Sequence, residues 1–154
     1  MTPPLSTGAC LYLEDLSIGQ KFISRTHALD AAQIQDFAAE YDPQPFHLDE
    51  DAAKDTFFNG LAASGWHTAA ITMRLVVDTL KLSGGVIGAG GDLQWLTPAR
   101  ASDILQVTIE VLEIAPSQSR PHRGSAIMRI TTRNQHDAVL QTFRVKILLE
   151  RRVA

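Results

Sequence analysis

Three stretches in the second half of the chain alternate between apolar and polar residues. They cover residues 104–114, 125–132 and 139–149. Alternation with a period of two is typical of strands that have one buried face and one face in water. Residues 20–26 and 86–97 are predicted as two further strands, the second made irregular by glycines, and residues 134–137 are predicted as a hairpin turn.

A helical pattern begins at Asp30, which is a favourable N-cap residue and is followed by Gln33 at the position that completes a capping box. The apolar residues that follow at helical spacing are Ile34, Phe37, Ala38 and Tyr41. Pro43 and Pro45 end this helix, because the interior of a helix tolerates proline poorly. We therefore expect an ordered, largely extended loop over residues 42–48.

The longest predicted helix spans residues 64–80. Arg74 and Asp78 are almost the only charged residues in it, so we expect a mostly buried helix in which these two side chains pair. The glycine pair at 84–85 is predicted to end the helix. A shorter capped turn is predicted over residues 49–53.

One buried helix and several long antiparallel strands indicate an α+β fold, in which the helix packs on one face of the sheet. The 154 residues suit one domain, with residues 1–10 as a loose N-terminal leader. The pattern alone does not separate the possible α+β arrangements.

The composition is that of an ordinary globular protein, with 45% hydrophobic and 20% charged residues. The net charge of −3 suggests no basic patch, so we expect no nucleic-acid partner. Cys10 is the only cysteine, which excludes an internal disulfide and favours a reducing, cytoplasmic compartment. We also expect no membrane association, since no apolar run approaches the ~20 residues of a transmembrane helix and the N-terminus lacks a signal-peptide pattern.

Asp42 and His47 lie five residues apart in a segment that two prolines stiffen. A carboxylate and an imidazole can exchange protons near neutral pH, and a rigid segment lowers the entropy cost of holding them together. They form a candidate acid–base pair for adding water to a double bond or removing it. The residues alone leave another interpretation open, in which Asp42 ends a helix and His47 is an ordinary loop histidine.

Ser64 and Gly65 place a glycine in the first turn of the long helix. The first N–H groups of a helix have no partner within it, and the helix dipole makes that end positive. A thioester oxygen with enolate character would be stabilised there, because a carbonyl group could approach the N–H of Gly65 closely. The other interpretation is that Ser64 only caps the helix and Gly65 only packs.

Taken together, these segments resemble the MaoC-like dehydratases and the (R)-specific enoyl-CoA hydratases. Residues 42–47 resemble the D-x-N-P-x-H signature of the family, and residues 63–67 resemble the glycine-bearing start of its central helix. Residues 92–100 resemble a strand of the family that ends in W-x-x-P-V/A-R. The similar stretch covers residues 20–149, with the three pieces in the family's order and spacing.

The resemblance implies a hot-dog fold, in which a curved antiparallel sheet wraps around a long central helix. It implies that Asp42 and His47 together activate one water. The water attacks C3 of a trans-2-enoyl thioester while a proton reaches C2, which gives an (R)-3-hydroxyacyl thioester; dehydration is the reverse. The residues that depart from the pattern are Tyr41, Gln44 and Ser64, where the family often has Gly, Asn and His.

By the same resemblance, the N–H of Gly65 polarises the thioester carbonyl, and Ser64, Trp66 and Thr68 contribute to substrate binding, with Thr68 close to Asp42. The substrate is then an acyl thioester of coenzyme A or of an acyl carrier protein, and no metal or organic cofactor is needed. A homodimer or a higher homo-oligomer is implied, with the ligand tunnel at the subunit interface. The side chains expected to shape an acyl pocket are Phe57, Phe58, Trp66 and Met73.

Three alternatives remain open. A metal ion could bind Asp42, His47, Asp49 and Asp51, although their spacing matches no usual zinc pattern. A hot-dog thioesterase would use a carboxylate on the central helix, where only Asp78 is available, far from the start of the helix. A non-catalytic acyl-binding subunit would keep the fold, although the presence of both Asp42 and His47 argues against it.

Overall fold

The computed structural model describes residues 10–152, so residues 1–9 of the predicted leader lie outside the described residues. The strands are β1 Lys21–Ala28, β2 Ile87–Trp95, β3 Ile104–Pro116, β4 Arg123–Arg133 and β5 Val139–Glu150. The helices are α1 Ala31–Tyr41, α2 Pro45–Leu48, α3 Glu50–Ala53 and α4 Gly65–Thr79, and a 3-10 helix spans Leu13–Asp15. The predicted strands and both predicted long helices are therefore present.

The strands form one antiparallel sheet in the order β1-β3-β4-β5-β2. α4 packs against β1, β3 and β5, so the sheet holds the long helix on one face. An antiparallel sheet around one central helix is the hot-dog fold, and the prediction of an α+β fold of this type is confirmed. β1 and β2 are the two edges of the sheet.

The core lies between α4 and the inward face of the sheet. The inward residues of β3 follow the predicted alternation and are fully buried: Leu105, Val107, Ile109 and Val111. From the helix, Leu75 and Val76 pack into the same core. Burying a side chain of this size contributes about 1.5–3 kcal/mol, so this apolar stripe fixes the rotation of α4 about its axis.

One side of α4 stays exposed, which differs from the prediction of a mostly buried helix. Trp66, Met73 and Val77 are 60%, 40% and 43% exposed. The physical reason is that a single sheet covers only one side of a helix, whereas a helix that is apolar all round needs a second layer to bury the rest. The exposed stripe runs beside β2, and Met73 lines a groove with Gly88 of that strand.

The segment after α1 is not an extended loop, because Pro45–Leu48 form the short helix α2. Pro45 occupies its first position. Proline suits that position, since an N–H there would have no partner within the helix and the φ angle of proline is already helical. The prediction took both prolines as helix breakers, whereas Pro45 begins a new turn.

The end of α4 also differs from the prediction. α4 ends at Thr79 with Leu80 as its C-cap, so the glycine pair does not end it. Gly84 and Gly85 have φ angles of +80° and +87°. Glycine adopts this left-handed conformation without strain, and the pair forms the turn that leads into β2.

Two local predictions are confirmed. Arg74 Nε lies 3.0 Å from Asp78 Oδ2, and Arg25 of β1 binds the same carboxylate oxygen at 2.9 Å. The turn between β4 and β5 is closed by the N–H of Asn134, which donates to the carbonyl of Ala138 at 3.1 Å.

Within residues 10–152, no helix combines the length and the apolar character that crossing a membrane requires.

Candidate active site

Asp42 and His47 are brought together by the junction of α1 and α2. Asp42 is the C-cap of α1, and its N–H donates to the carbonyl of Ala38 at 2.9 Å. The chain then turns into α2, and the N–H of His47 donates to the carbonyl of Gln44 at 2.9 Å. His47 Nε2 consequently lies 3.2 Å from Asp42 Oδ2, with 5% and 18% of the two side chains exposed.

The other ring nitrogen of His47 sets its tautomer. Nδ1 lies 2.6 Å from the carbonyl oxygen of Ala62. A carbonyl oxygen only accepts hydrogen bonds, so Nδ1 carries a proton, and Nε2 is the nitrogen that faces Asp42. In the neutral form of this tautomer Nε2 has no proton, so one water molecule beside the pair can donate to both Nε2 and the carboxylate.

The carboxylate of Asp42 is stabilised in its charged form. Its burial on its own raises the pKa, but hydrogen bonds from Ser64 and Gln44, together with the interactions with His47, outweigh it and hold the pKa of Asp42 below its ordinary value of 3.8. Gln44 donates through Nε2 to Asp42 Oδ1. The glutamine that departs from the family's asparagine therefore still holds the carboxylate, and Asp42 is ionised at neutral pH.

The first turn of α4 lies against this pair. Ser64 is fully buried and is the N-cap of α4. Its Oγ accepts a hydrogen bond from the N–H of Trp66 at 3.2 Å, and its hydroxyl donates a hydrogen bond to the carboxylate of Asp42. Within residues 10–152 the N–H of Gly65 has no hydrogen-bond acceptor. The positive end of the helix dipole and this unpaired donor can stabilise negative charge on a bound carbonyl oxygen.

The sequence suggests open space beside Gly65, but in the structure that space is filled. A methyl group on Gly65 would lie 2.6 Å from Cε2 of Trp95, so the indole ring occupies the place that the missing side chain leaves free. Trp95 Nε1 donates to Gln141 Oε1 at 3.0 Å, which fixes the ring. Gly65 therefore has a packing role with Trp95, while its N–H remains free.

A buried polar network extends from Trp95 into the core. Gln141 Nε2 donates to Thr72 Oγ1 at 3.4 Å, and Thr72 Oγ1 in turn donates to the carbonyl of Thr68 at 2.8 Å. Thr132 Oγ1 lies 2.7 Å from Thr72 Oγ1. Buried polar groups cost little only when they are hydrogen-bonded, and here each has a partner. The network thus joins the indole to the first turns of α4.

A cleft of about 390 Å³ opens over these groups, and we call it the aromatic cleft. The residues that line it are His47, Phe57, Phe58, Ala63, Gly65, Thr68, Trp95, Leu96, Thr97, Pro98 and Ala99. Its volume is in the range of small-molecule sites, and most of its wall is apolar. Asp42 is not among the residues that line this cleft.

The other residues singled out from the sequence lie in different places. Thr68 lines the aromatic cleft, and within residues 10–152 no hydrogen bond joins its side chain to Asp42. Trp66 projects outward and meets Trp95 edge-on, with ring centroids 5.0 Å apart. Met73 belongs to the separate groove beside β2.

His67 faces away from the aromatic cleft, and its side chain packs on Phe37 of α1. The two rings are parallel, with centroids 4.5 Å apart. His67 is 7% exposed, and its Nδ1 has no hydrogen-bond partner within residues 10–152. Burial, with a smaller contribution from the charge of His27, lowers the pKa of His67 from 6.5 to about 4. The ring is therefore neutral at physiological pH.

Arg100 has a role near the site that sequence reasoning did not find. Its guanidinium donates to the carbonyls of Phe58 at 2.6 Å, Gly60 at 3.0 Å and Leu61 at 3.2 Å. It thereby holds the segment that delivers the Ala62 carbonyl to His47. The resemblance marked Arg100 only as the end of a motif, and three main-chain acceptors leave no signature in a sequence.

The metal and thioesterase alternatives find little support in the geometry. The Asp49 carboxylate accepts from the N–H groups of Asp51 and Ala52, and no group of three potential ligands converges within residues 10–152. Asp78 is paired with two arginines near the far end of α4. At ~1.5 Å per residue it lies about 20 Å from Gly65, too distant to act on a thioester held there.

The chain is similar in sequence and in structure to several known proteins. The sequence model of the MaoC like domain matches residues 15–133. A 3-hydroxybutyryl-CoA dehydratase of Methylorubrum extorquens is 32% identical over 115 residues, which cover 71% of this chain and 69% of that protein. The crystal structure of a MaoC-like dehydratase from Rhodospirillum rubrum is 52% identical, with a TM-score of 0.91, and the match covers 94% of this chain and 99% of that one. An R-hydratase from Pseudomonas aeruginosa is 28% identical, with a TM-score of 0.71 over 93% of this chain and 91% of that one.

Proposed function

This chain belongs to the MaoC-like dehydratase family, and from that membership we propose that it interconverts a trans-2-enoyl thioester and an (R)-3-hydroxyacyl thioester by adding or removing water. The observation that carries the proposal is the 3.2 Å approach of His47 Nε2 to Asp42 Oδ2 beside the aromatic cleft. Among the similar proteins are a dehydratase of a 3-hydroxyacyl-CoA and an R-hydratase, which favours the same chemistry here.

In the proposed hydration, one water donates to both Asp42 and His47. Nε2 of His47 accepts a proton as the water oxygen forms its bond to C3, and the pair returns one proton to C2. No proton is consumed overall, because the product contains one molecule of water more than the substrate. The hydrogen bond from Nδ1 to Ala62 keeps the ring in the tautomer that this step needs.

Charge develops on the thioester oxygen as C3 is attacked. We propose that the free N–H of Gly65 and the positive end of α4 stabilise that charge. Removing one donor of this kind typically lowers kcat by about 10²–10³-fold. Trp95 and the phenyl rings at 57 and 58 would form apolar walls beside the acyl group.

We also propose that the protein forms a homodimer through β2. This edge strand is exposed along almost its whole length, and it has no charged residue before Asp92. The opposite edge is better protected, because β1 carries Lys21 and Arg25, and basic side chains on an edge strand discourage edge pairing. A second copy on β2 would also cover the exposed side of α4. Light scattering that finds only the 16.8 kDa monomer would contradict this proposal.

The test of the function is the loss of the ultraviolet absorbance of crotonyl-CoA, whose conjugated double bond disappears on hydration. We expect turnover by the wild type, and losses of about 10²–10⁴-fold in kcat for both Asp42→Asn and His47→Gln. The loss in kcat of the double variant should be little larger than that of the less active single variant, since the two residues act on one water.

Matched controls exist for each residue. Asp51 is an exposed carboxylate in the adjacent helix α3, and His136 is an exposed imidazole in the turn before β5. Asp51→Asn and His136→Gln should leave kcat unchanged. If kcat of Asp42→Asn or of His47→Gln stays within tenfold of the wild-type kcat, the assignment of the acid–base pair is overturned.

A further inference from the structure

Three neighbouring strands each contribute one member to a row of side chains that can hydrogen-bond. Trp95 of β2 is the register partner of Gln141 of β5, and Gln141 is the register partner of Thr132 of β4. Thr72 of α4 meets this row, since its Oγ1 lies 2.7 Å from Thr132 Oγ1 and 3.4 Å from Gln141 Nε2. Gln141 is only 1% exposed, although glutamine is usually a surface residue. Its burial beside the central helix therefore needs a reason.

The hydrogen bonds of the row are consistent with one orientation of the Gln141 amide. Thr72 donates its hydroxyl proton to the carbonyl of Thr68 at 2.8 Å, so towards the row its Oγ1 can only accept. Gln141 consequently turns its NH₂ group to Thr72, which leaves Oε1 to accept from the indole N–H of Trp95 at 3.0 Å. The flipped amide would place two donors face to face, because an indole nitrogen only donates. The amide of Gln141 thus holds the indole in one place.

The indole held in this way stands next to the amide proposed to bind the thioester oxygen. Atoms Cε2 and Cδ2 of Trp95 would lie 2.6 and 2.7 Å from a methyl group on Gly65, so the ring leaves no gap beside the helix. An acyl group whose carbonyl oxygen meets the N–H of Gly65 would therefore start against this ring. The ring could make room for a longer chain only by rotating away, which would leave the buried amide of Gln141 without its partner.

The size of the aromatic cleft agrees with a wall that does not give way. Its volume of about 390 Å³ is near the lower end of the range for small-molecule sites. We propose that Gln141 is a positioning residue that locks the indole of Trp95, and that the locked ring restricts the site to enoyl thioesters with a short acyl chain. This rests on the proposed function. Gln141 is not among the residues that line the cleft, so it acts through Trp95.

The first test compares two substrates in the same protein sample. The ratio of kcat/KM for trans-2-octenoyl-CoA to kcat/KM for crotonyl-CoA is independent of the fraction of folded enzyme, so a loss of stability alone leaves it unchanged. Gln141→Met keeps a side chain of similar length without the amide, and it should raise this ratio about tenfold or more. An unchanged ratio overturns the proposal.

Gln106 of β3 offers a matched control for this substitution. Its Nε2 donates to the carbonyl of Ser24 at 2.9 Å, and its neighbours Leu105 and Val107 face the core, so Gln106 lies on the outer face of the sheet. Gln106→Met should leave the ratio at the wild-type value. A rise as large as that in Gln141→Met would show a general effect of losing a glutamine and would overturn the proposal.

A double-mutant cycle tests whether Gln141 acts through the indole. Phenylalanine at position 95 has no N–H to donate, so in the Trp95→Phe protein Gln141 no longer holds the ring. Trp95→Phe alone should raise the ratio, and adding Gln141→Met to it should change the ratio less than twofold. If Gln141→Met raises the ratio by the same factor in both backgrounds, its effect does not pass through Trp95 and the proposal is overturned.

Fluorescence tests the lock without any turnover. In the variant Trp66→Phe the indole of Trp95 is the only tryptophan, because the chain has two. A locked ring should show little decay of fluorescence anisotropy within about a nanosecond, and adding Gln141→Met should produce such a decay, whereas adding Gln106→Met should not. If the wild type hydrates no enoyl thioester but the anisotropy follows this pattern, the proposed function and the size limit fail while the lock stands. If enoyl thioesters are hydrated and Gln141→Met leaves the anisotropy unchanged, the lock is overturned and the proposed function stands.

Discussion

His67 makes the stability of the protein depend on pH in a way that one substitution should remove. The ring is 7% exposed, and its pKa is about 4 in the folded chain against 6.5 as the ordinary value. The unfolded chain therefore takes up a proton on His67 before the folded chain does. The contribution to stability is complete above about pH 6.5 and is lost as the pH falls from there towards about 4.

The size of the effect follows from the two pKa values. A change of one unit in pKa corresponds to ~1.4 kcal/mol, so the full loss in acid is about 3 kcal/mol. Between pH 7 and pH 5 the expected loss is about 2 kcal/mol. The carboxylates whose pKa values are lowered, among them Asp42 and Asp78, titrate below 3.8 and do not contribute in this window.

The substitution His67→Phe isolates this contribution. Phenylalanine keeps an aromatic ring against Phe37, and no hydrogen bond is lost because Nδ1 has no partner in the described chain. At pH 7 we expect the free energy of unfolding of the variant to lie within about 1.5 kcal/mol of the wild-type value. Between pH 7 and pH 5 the wild type should lose about 2 kcal/mol of unfolding free energy that the variant keeps.

The assay is urea denaturation at several pH values between 7 and 5, at one fixed protein concentration because dimerisation also affects stability. His136→Gln serves as the control, since His136 is exposed and its variant should follow the wild-type dependence on pH. Parallel curves for wild type and His67→Phe over this range would refute the argument, because they would mean that His67 titrates alike in the folded and unfolded chains.

Three further substitutions test the site itself. Gln44→Met removes a hydrogen bond to Asp42, so the pKa of Asp42 should rise and the acid limb of kcat/KM against pH should move to higher pH. Gly65→Ala should displace the indole of Trp95, seen as a change in tryptophan fluorescence and a fall in kcat. Arg100→Met leaves three carbonyls without their donor; thermal denaturation should show a loss of about 1–3 kcal/mol, with a lower kcat as His47 loses its orientation.

The sheet and the central helix were predictable because burial repeats along each of them. In β3, alternate residues face the core, so a period of two can be read from that segment without knowing what it packs against. The exposed side of α4 was not predictable, since Met73 and Val77 are about as apolar as Leu75 and Val76, which α4 buries. A sequence records that a side chain is apolar, but not which of several surfaces will cover it.

The proximity of Asp42 and His47 was predictable because the two residues are only five positions apart in the sequence. The direction of the turn between them was not, because Pro45 can either stop a helix or begin one. The contact of Trp95 with Gln141 joins two distant segments, and neither residue type signals the other. The acceptor of the His47 proton is a main-chain carbonyl, which no residue letter identifies.

That main-chain acceptor has a consequence for how such a protein diversifies. Every amino acid at position 62 brings the same carbonyl oxygen, so the orientation of His47 is insensitive to the side chain there. The walls of the aromatic cleft, in contrast, include Phe57, which is 91% exposed, and Leu96, which is 57% exposed. Residues so exposed can be exchanged at little cost in folding free energy. Under the proposed function, descendants of this chain could accept different acyl groups by changing a few wall residues, while the orientation of His47 is inherited intact.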